Sequence, residues 1–437
     1  MTTSRHAPMG MLLLPLIVGV VVSRFVDFSP LLLLAAFVSA IALLLFWRST
    51  ASLGLLFVGF GYCLASFEKT APTLPAQSDA VVALIASSQR HATLVALRQA
   101  DGAWRESAEK ILLSGVEVPC HRTVVVRGDV SVVDGASNSY SALAVSKGYL
   151  RSVAIEKLLY VDAQQSRPLS ARLNDWGFAR LEKLGLQPQT LASVAAMTLA
   201  RRDLLDSGLV RSYNYIGASH LLALSGLHLS IVIIIISSIT FLLPLVNRGH
   251  FIADLLAIVA VWLFAVMAGL GESVVRAAWM FSIMNTSRLV SRGYNALNSL
   301  FTSALLILCC DPVALYDVGF QLSFTAVGAI IMVGAPLCWR LRTQSIIANM
   351  ALSSLIISIV ATLATAPIVL YYFGHVGILS PVVTPLLVVT LTVILLLSMI
   401  WILLPLPFAA PFVGWVVEEA VALQNGVVEW FASWGVG

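Results

Sequence analysis

Beyond Lys183 the chain has no lysine, and beyond Arg342 it has no arginine. Charged residues make up only 11% of its 437 residues, while apolar residues reach 59%. About a quarter of a soluble domain is charged. A chain so poor in charge builds its core against lipid, which excludes an ordinary soluble enzyme. No GxxxxGK[ST] loop occurs, so an ATP-hydrolysing phosphate loop is excluded. HExxH and His-x-His are missing, and with them the zinc-protease and dinuclear metallohydrolase signatures; the GxSxG elbow is missing too. Cys63, Cys120, Cys309, Cys310 and Cys338 contain no CxxC pair, and only Cys120 lies in a polar segment. Neither a disulfide framework, nor a metal site, nor a cofactor is expected. The net charge of +4 is too small to indicate partners.

What the chain does have is long apolar runs. A hydrocarbon core about 30 Å thick needs roughly twenty such residues. Runs near 9–25, 29–46 and 51–67 precede a polar stretch, and eight more follow near 217–246, 251–270, 273–290, 296–310, 314–338, 345–373, 377–405 and 408–434. The first run follows Arg5 and His6 without a small-residue cleavage site, which predicts a retained anchor. The polar stretch contains β-like runs at 80–85, 92–97 and 123–126, separated by Asp101-Gly102 and Asp134-Gly135 turn signals. Residues 171–211 are helical in pattern but too polar to span, which suits amphipathic helices lying in the interface. The expected fold is a polytopic α-helical membrane protein of about 11 spans with a small extracytoplasmic β domain and an interfacial amphipathic helix. Its domains are a three-span anchor (1–67), the β domain (68–170), the amphipathic helices (171–211) and a transmembrane domain (212–437).

Arginines in short loops mark the cytoplasmic side. With the N-terminus inside, Arg48, Arg248, Arg288 with Arg292, and Arg340 with Arg342 all fall inside, and the β domain falls outside. The outward turns hold Gly271-Glu272, Asp311-Pro312 and Gly374-His375, with no Lys or Arg. The last three spans are oriented by continuity alone.

Polar residues at membrane depth are costly and gather at functional places. The densest group is Gly217 to Ser230, with His220, Ser225, Gly226 and His228. On one continuous helix the two histidines stand two turns apart, roughly 12 Å along the axis, too far to share a metal unless Gly226 breaks the helix. Each histidine serves equally well as a bundle seam bonded to a backbone carbonyl or hydroxyl. The small residues around them permit close helix packing. Glu272 and Arg276, at i and i+4, share a helix face as a structural pair or as a cation turned to an anionic substrate. Asp317 and Gln321 have the same spacing and face one cavity or make an interhelical hydrogen bond. Pro367, with Thr362 and Thr365, interrupts an apolar run as a kink or as a broken helix beside a cavity.

Four of these segments together resemble the ComEC family, the inner-membrane DNA channel of natural transformation. They are His220-Leu-Leu-Ala-Leu-Ser-Gly-Leu-His228, Val275-Arg-Ala-Ala-Trp-Met280, Asp311-Pro followed by Gly319-Phe-Gln-Leu-Ser-Phe324, and Ala364-Thr-Ala-Pro367 with Phe373-Gly374. They occur in the family's order and cover about 190–400; the first is the most specific. The resemblance implies that the β domain is an OB-like fold, with Lys147-Gly-Tyr-Leu-Arg151 near the segment leaving it. It also implies a route for single-stranded DNA across the cytoplasmic membrane of a bacterium, and no catalysis by the membrane domain. Many members continue into a metallo-β-lactamase-like domain that this sequence does not contain, so nuclease activity is expected of a separate protein. Some members carry a cysteine pair in the outer domain, where this chain has only Cys120.

On that reading His220, Ser225, Gly226, His228, Arg276, Asp317, Gln321 and Pro367 are candidates for the DNA path. Trp104, Arg105 and Tyr140 are candidates for strand capture through stacking and backbone contacts. The expected partners are single-stranded DNA, membrane lipids, a periplasmic DNA-binding protein and a cytoplasmic motor or strand-binding protein. The rivals are an intramembrane enzyme that uses the two histidines on a lipid-linked or peptide substrate, and a nonconducting scaffold of the uptake machinery.

Overall fold

A computed structural model describes residues 9–25, 50–69, 77–86, 91–98, 104–106, 110–116, 123–133, 151–161, 168–241, 249–290, 295–377 and 379–433. The expected span at 29–46, the loop arginines Arg48, Arg248 and Arg292, and both Cys120 and Tyr140 lie outside the described residues. The chain divides into two compact units, one of Arg5–Pro168 with Ala304–Gln321 and one of Leu169–Ser303 with Leu322–Gly437.

The first unit opens with two apolar helices, α1 (Gly10–Phe25) and α2 (Thr50–Lys69), which pack side by side. A Cβ on Gly19 would sit 2.0 Å from the Val58 carbonyl oxygen, and one on Gly61 would sit 2.3 Å from that of Leu16. Only glycine lets two helix backbones touch in this way. Six strands follow: β1 (Gln77–Ala86), β2 (His91–Arg98), β3 (Trp104–Glu106), β4 (Lys110–Gly115), β5 (Thr123–Val132) and β6 (Arg151–Val161). Pairing runs β1 to β5 to β6 to β4 to β2 and back to β1, so five strands close on themselves while β3 forms a hairpin on β2. All pairs are antiparallel except β4 with β6. Alternation builds the interior. Ala80, Val82 and Leu84 of β1 meet Val124, Val126 and Val130 of β5, with Leu94 and Leu97 of β2 and Val153 and Ile155 of β6. Each such aliphatic side chain contributes about 1.5–3 kcal/mol when fully buried.

The second unit is helical. Its elements are α3 (Leu169–Glu182), α4 (Pro188–Leu199), α5 (Ser207–Tyr215), α6 (Gly226–Ile239), α7 (Gly249–Met267) and α8 (Glu272–Val290). After α9 (Ala296–Cys310) and α10 (Val318–Ala329), whose stretch 304–321 is counted with the first unit, a π-helical turn at Ile330–Gly334 leads into α11 (Ala335–Arg340). Helices α12 (Ile346–Phe373), α13 (Ser380–Leu403) and α14 (Ala410–Ser433) complete it. Five segments are long and apolar enough to cross a membrane: Ser219–Ile239, His250–Met267, Val318–Arg340, Ile346–Phe373 and Ser380–Leu403. Three shorter apolar helices occur at Gly10–Ser23, Leu53–Ser66 and Ala296–Cys310. Charges separate the rest from this class, because α8 carries Glu272, Arg276 and Arg288, and α14 carries Glu418, Glu419 and Glu429.

Of the two readings of Pro367, the broken helix is the one not found: the run at 345–373 is one helix through Pro367, ending only at Gly374 with φ 74°. One expectation changes: α4 is not an amphipathic surface helix, because every residue from Ala192 to Leu199 is buried. Its small residues Ala192, Ser193, Ala195 and Ala196 let it sit inside the helical core beside α13 and α14.

Candidate functional site

The segment from the end of α4 to the start of α6 carries the histidines, and its geometry starts at two adjacent arginines. Helix α4 ends on Ala200, held left-handed at φ 62°. Arg201 turns back into the fold. It forms an ion pair with Asp175, its Nε donates to Asn174 Oδ1 at 2.6 Å, and its guanidinium lies 4.3 Å over the Phe178 ring. Asn174 in turn donates through Nδ2 to the carbonyls of Leu199 at 2.7 Å and Met267 at 2.9 Å, which caps α4 and α7 together. Arg202, the next residue, is exposed, and the surrounding chain lowers its pKa by desolvation.

Asp206 then caps α5 by accepting from the Gly208 and Leu209 N–H groups, at 2.8 and 3.1 Å. Within α5, Tyr213 is fully buried in a polar chain: Thr390 donates to Gln424, Gln424 to Tyr213, and Tyr213 to Asn425. Burial pushes the Tyr213 phenol up to about 12, against the opposing hydrogen bond from Gln424.

After α5 the backbone crosses the segment before α13. Gly217, at φ 75°, packs on Gly377 so closely that a Cβ on Gly377 would lie 2.5 Å from the Gly217 Cα. The Gly217 carbonyl accepts from Ser380 Oγ and from His220 Nδ1, each at 3.2 Å. His220 itself is exposed and sits on a separate 3₁₀ turn, Ser219–Leu221. The continuous helix assumed for His220 and His228 is therefore corrected. Gly226 starts α6 instead of interrupting it, and the two rings come near enough to interact electrostatically.

Ser225 is the N-cap of α6 and His228 occupies the third helical position, where a capping box usually has Glu or Gln. The Ser225 N–H donates to His228 Nδ1 at 3.1 Å, and Ser225 Oγ lies at the same distance from it. His228 is 1% exposed, and its Nε2 has no hydrogen-bond partner among the described residues. Leaving a buried donor unmade costs about 1–3 kcal/mol. Gly226 borders α8, where a Cβ would lie 3.9 Å from that of Ala277, next to the half-buried Arg276. Among the described residues, no three His, Cys, Asp or Glu side chains gather as a metal-binding group.

The remaining candidates take these positions. Asp317 caps α10, its Oδ2 accepting from the Phe320 N–H at 2.9 Å, while Gln321 donates to the Leu315 carbonyl at 3.0 Å. The spacing that places them on one face thus serves the start of α10, in the first unit. Pro367 is within α12. Trp104 and Arg105 form β3, paired with Arg98 and Leu97 of β2. Sequence reasoning missed Arg202. The doublet Arg201-Arg202, directly after an apolar run, was its only signal.

The pattern of the family described as Competence protein matches residues 197–436. ComE operon protein 3 of Bacillus subtilis (strain 168) is 29% identical over 196 residues, which is 45% of this chain and 24% of that protein. The chain therefore corresponds to about a quarter of that relative's length. No solved structure matches. With more than half of its residues inside the matched region, the chain belongs to the competence protein family, the family its four motifs resemble.

Proposed function

We propose that this protein is a channel passing single-stranded DNA across the cytoplasmic membrane during natural transformation, and that it does so without catalysis. About eleven spans, N-terminus inside, carry the chain on this reading, with the strand barrel on the outer side. The closed order of β1, β2, β4, β6 and β5, with its single parallel pair, supports an OB-like barrel. Strand capture falls to its β3 hairpin, where Trp104 and Arg105 lie, and to Tyr140. A periplasmic DNA-binding protein delivers the strand, a cytoplasmic motor or strand-binding protein draws it inward, and a separate nuclease removes its complement.

One observation carries the reading. The apolar segment Ser219–Ile239 begins with two histidines, a serine cap and a buried ring nitrogen that no group among the described residues satisfies. A segment that only had to cross lipid would not keep an unmet donor there. The path itself is lined mainly by neutral polar groups and helix ends, with Arg276 as a cation on it.

The test is import of labelled DNA in cells with and without the gene, with cytoplasmic and periplasmic DNA measured separately. DNA held in the periplasm of the deletion strain supports the channel; normal cytoplasmic import sinks it. Arg276→Ala is expected to lower import about tenfold or more at unchanged protein level, since a hydrogen bond to a charged group contributes about 1.5–3 kcal/mol. Wild-type import removes Arg276 from the path.

A further inference from the structure

The His228 ring is held by one edge. Its Nδ1 accepts from the Ser225 N–H and meets the Ser225 hydroxyl. An accepting Nδ1 leaves the proton of a neutral imidazole on Nε2, so the other edge is a fixed N–H donor. That donor is buried and unpartnered. Ser193 and Ser398 also bury hydroxyls without partners, but both lie inside helices, where a hydroxyl rotates freely toward a carbonyl of the preceding turn. The His228 ring cannot turn without releasing the cap. Because Nδ1 faces the cap backbone, Nε2 faces away from it, past the start of α6.

Two sources of positive potential act on the ring. The Gly226 and Leu227 N–H groups that open α6 have no acceptor within the helix, whereas those of His228 and Leu229 bond to the Ser225 carbonyl, and the helix dipole adds its positive end there. Arg202 adds a full charge. It takes part in no salt bridge among the described residues, it retains accessible surface although the chain crowds it, and it acts electrostatically on His228, as does His220.

We infer that the N-terminus of α6, the His228 Nε2–H and Arg202 form a binding point for an anionic oxygen of a phosphodiester, with His228 donating as the neutral ring. The choice of a phosphodiester rests on the DNA-transport reading; the presence of an anion point does not. A neutral donor and a helix end hold each phosphate loosely, and a translocating polymer must be released at every step.

The experiment uses the full-length protein, labelled with ¹⁵N-histidine and purified in detergent without phospholipid. The His228 Nε2–H resonance, identified by its absence in His228→Gln, is followed while (dT)12 is added. A saturable shift with (dT)12 and none with the uncharged methylphosphonate form of the same oligomer is expected. No shift with (dT)12, or an equal shift with the methylphosphonate, overturns the inference. A shift with phosphatidylglycerol and none with (dT)12 assigns the point to a lipid headgroup and overturns its assignment to DNA.

Variants supply a second readout. His228→Gln keeps both a capping acceptor and a donor and is expected to bind (dT)12 within about threefold of wild type, whereas His228→Leu loses about tenfold or more. Arg202→Ala is expected to weaken binding about tenfold at low salt and to flatten its salt dependence. Equal (dT)12 binding by all three variants at unchanged thermal midpoint overturns the inference. If cells lacking the gene import DNA normally, the transport proposal fails while the (dT)12 titration still decides the anion point.

Discussion

Arg201 and Arg202 are neighbours in sequence and opposites in structure. Arg201 is spent on the fold, tying α3 to the end of α4 through Asp175, Asn174 and Phe178. Arg202 forms no ion pair among the described residues and acts electrostatically on His228 of the α6 cap, whose Nε2–H is also unmet among them. In a chain with so few charges, each polar group is either consumed by structure or held for something else. The pairing of donors with acceptors separates the two uses, and residue type does not. Asn174, Gln424 and Tyr213 are polar and engaged, so they belong with Arg201. His228 is half engaged, capping with one nitrogen and presenting the other.

The comparison can be broken by mutation. Arg201→Ala should cost the most, about 2–3 kcal/mol, because it removes the bond to Asn174, the contact with the Phe178 ring and the ion pair with Asp175 at one junction. A lowered thermal midpoint of the detergent-solubilised protein would register this, and an unchanged midpoint would show that the junction is not structural. Gln424→Leu should cost about 1–3 kcal/mol by leaving the Thr390 and Tyr213 hydroxyls short of a partner in the core. Here DNA import should fall only as far as protein level does. Arg202→Ala should change stability least, within about 0.5 kcal/mol, as for a surface substitution. Its effect should instead be on import at wild-type protein level, the reverse of the Arg201 result. A destabilised Arg202→Ala protein would dissolve the distinction between the neighbours.

Much of the architecture was legible because its signals are local. The runs at 251–270, 345–373 and 377–405 match His250–Met267, Ile346–Phe373 and Ser380–Leu403 closely, since hydropathy alone marks a segment that lipid can surround. The β-like runs at 80–85, 92–97 and 123–126 fall within β1, β2 and β5, where period-2 alternation survives. Strands β4 and β6 were harder to see. Their parallel pairing joins Ile111 to Arg151 across a long stretch of chain, and β6 mixes Arg151, Glu156 and Lys157 with its apolar residues. The burial of α4 was equally hidden, because a pattern of small and apolar residues fits a surface helix or a core helix until neighbours are placed around it.

By itself the sequence determined that this chain lives with lipid, where most of its apolar segments run, and which family's motifs it carries. All of these follow from composition, run length and residue order, which need no partner in space. Tertiary structure decided the rest. It ended the helix between the two histidines and started another at Gly226, locked the His228 ring by its Nδ1, and divided two adjacent arginines between the fold and the site. The physical reason is that satisfaction of a donor or a charge is a property of pairs of groups, and the pairs here join residues that are distant along the chain.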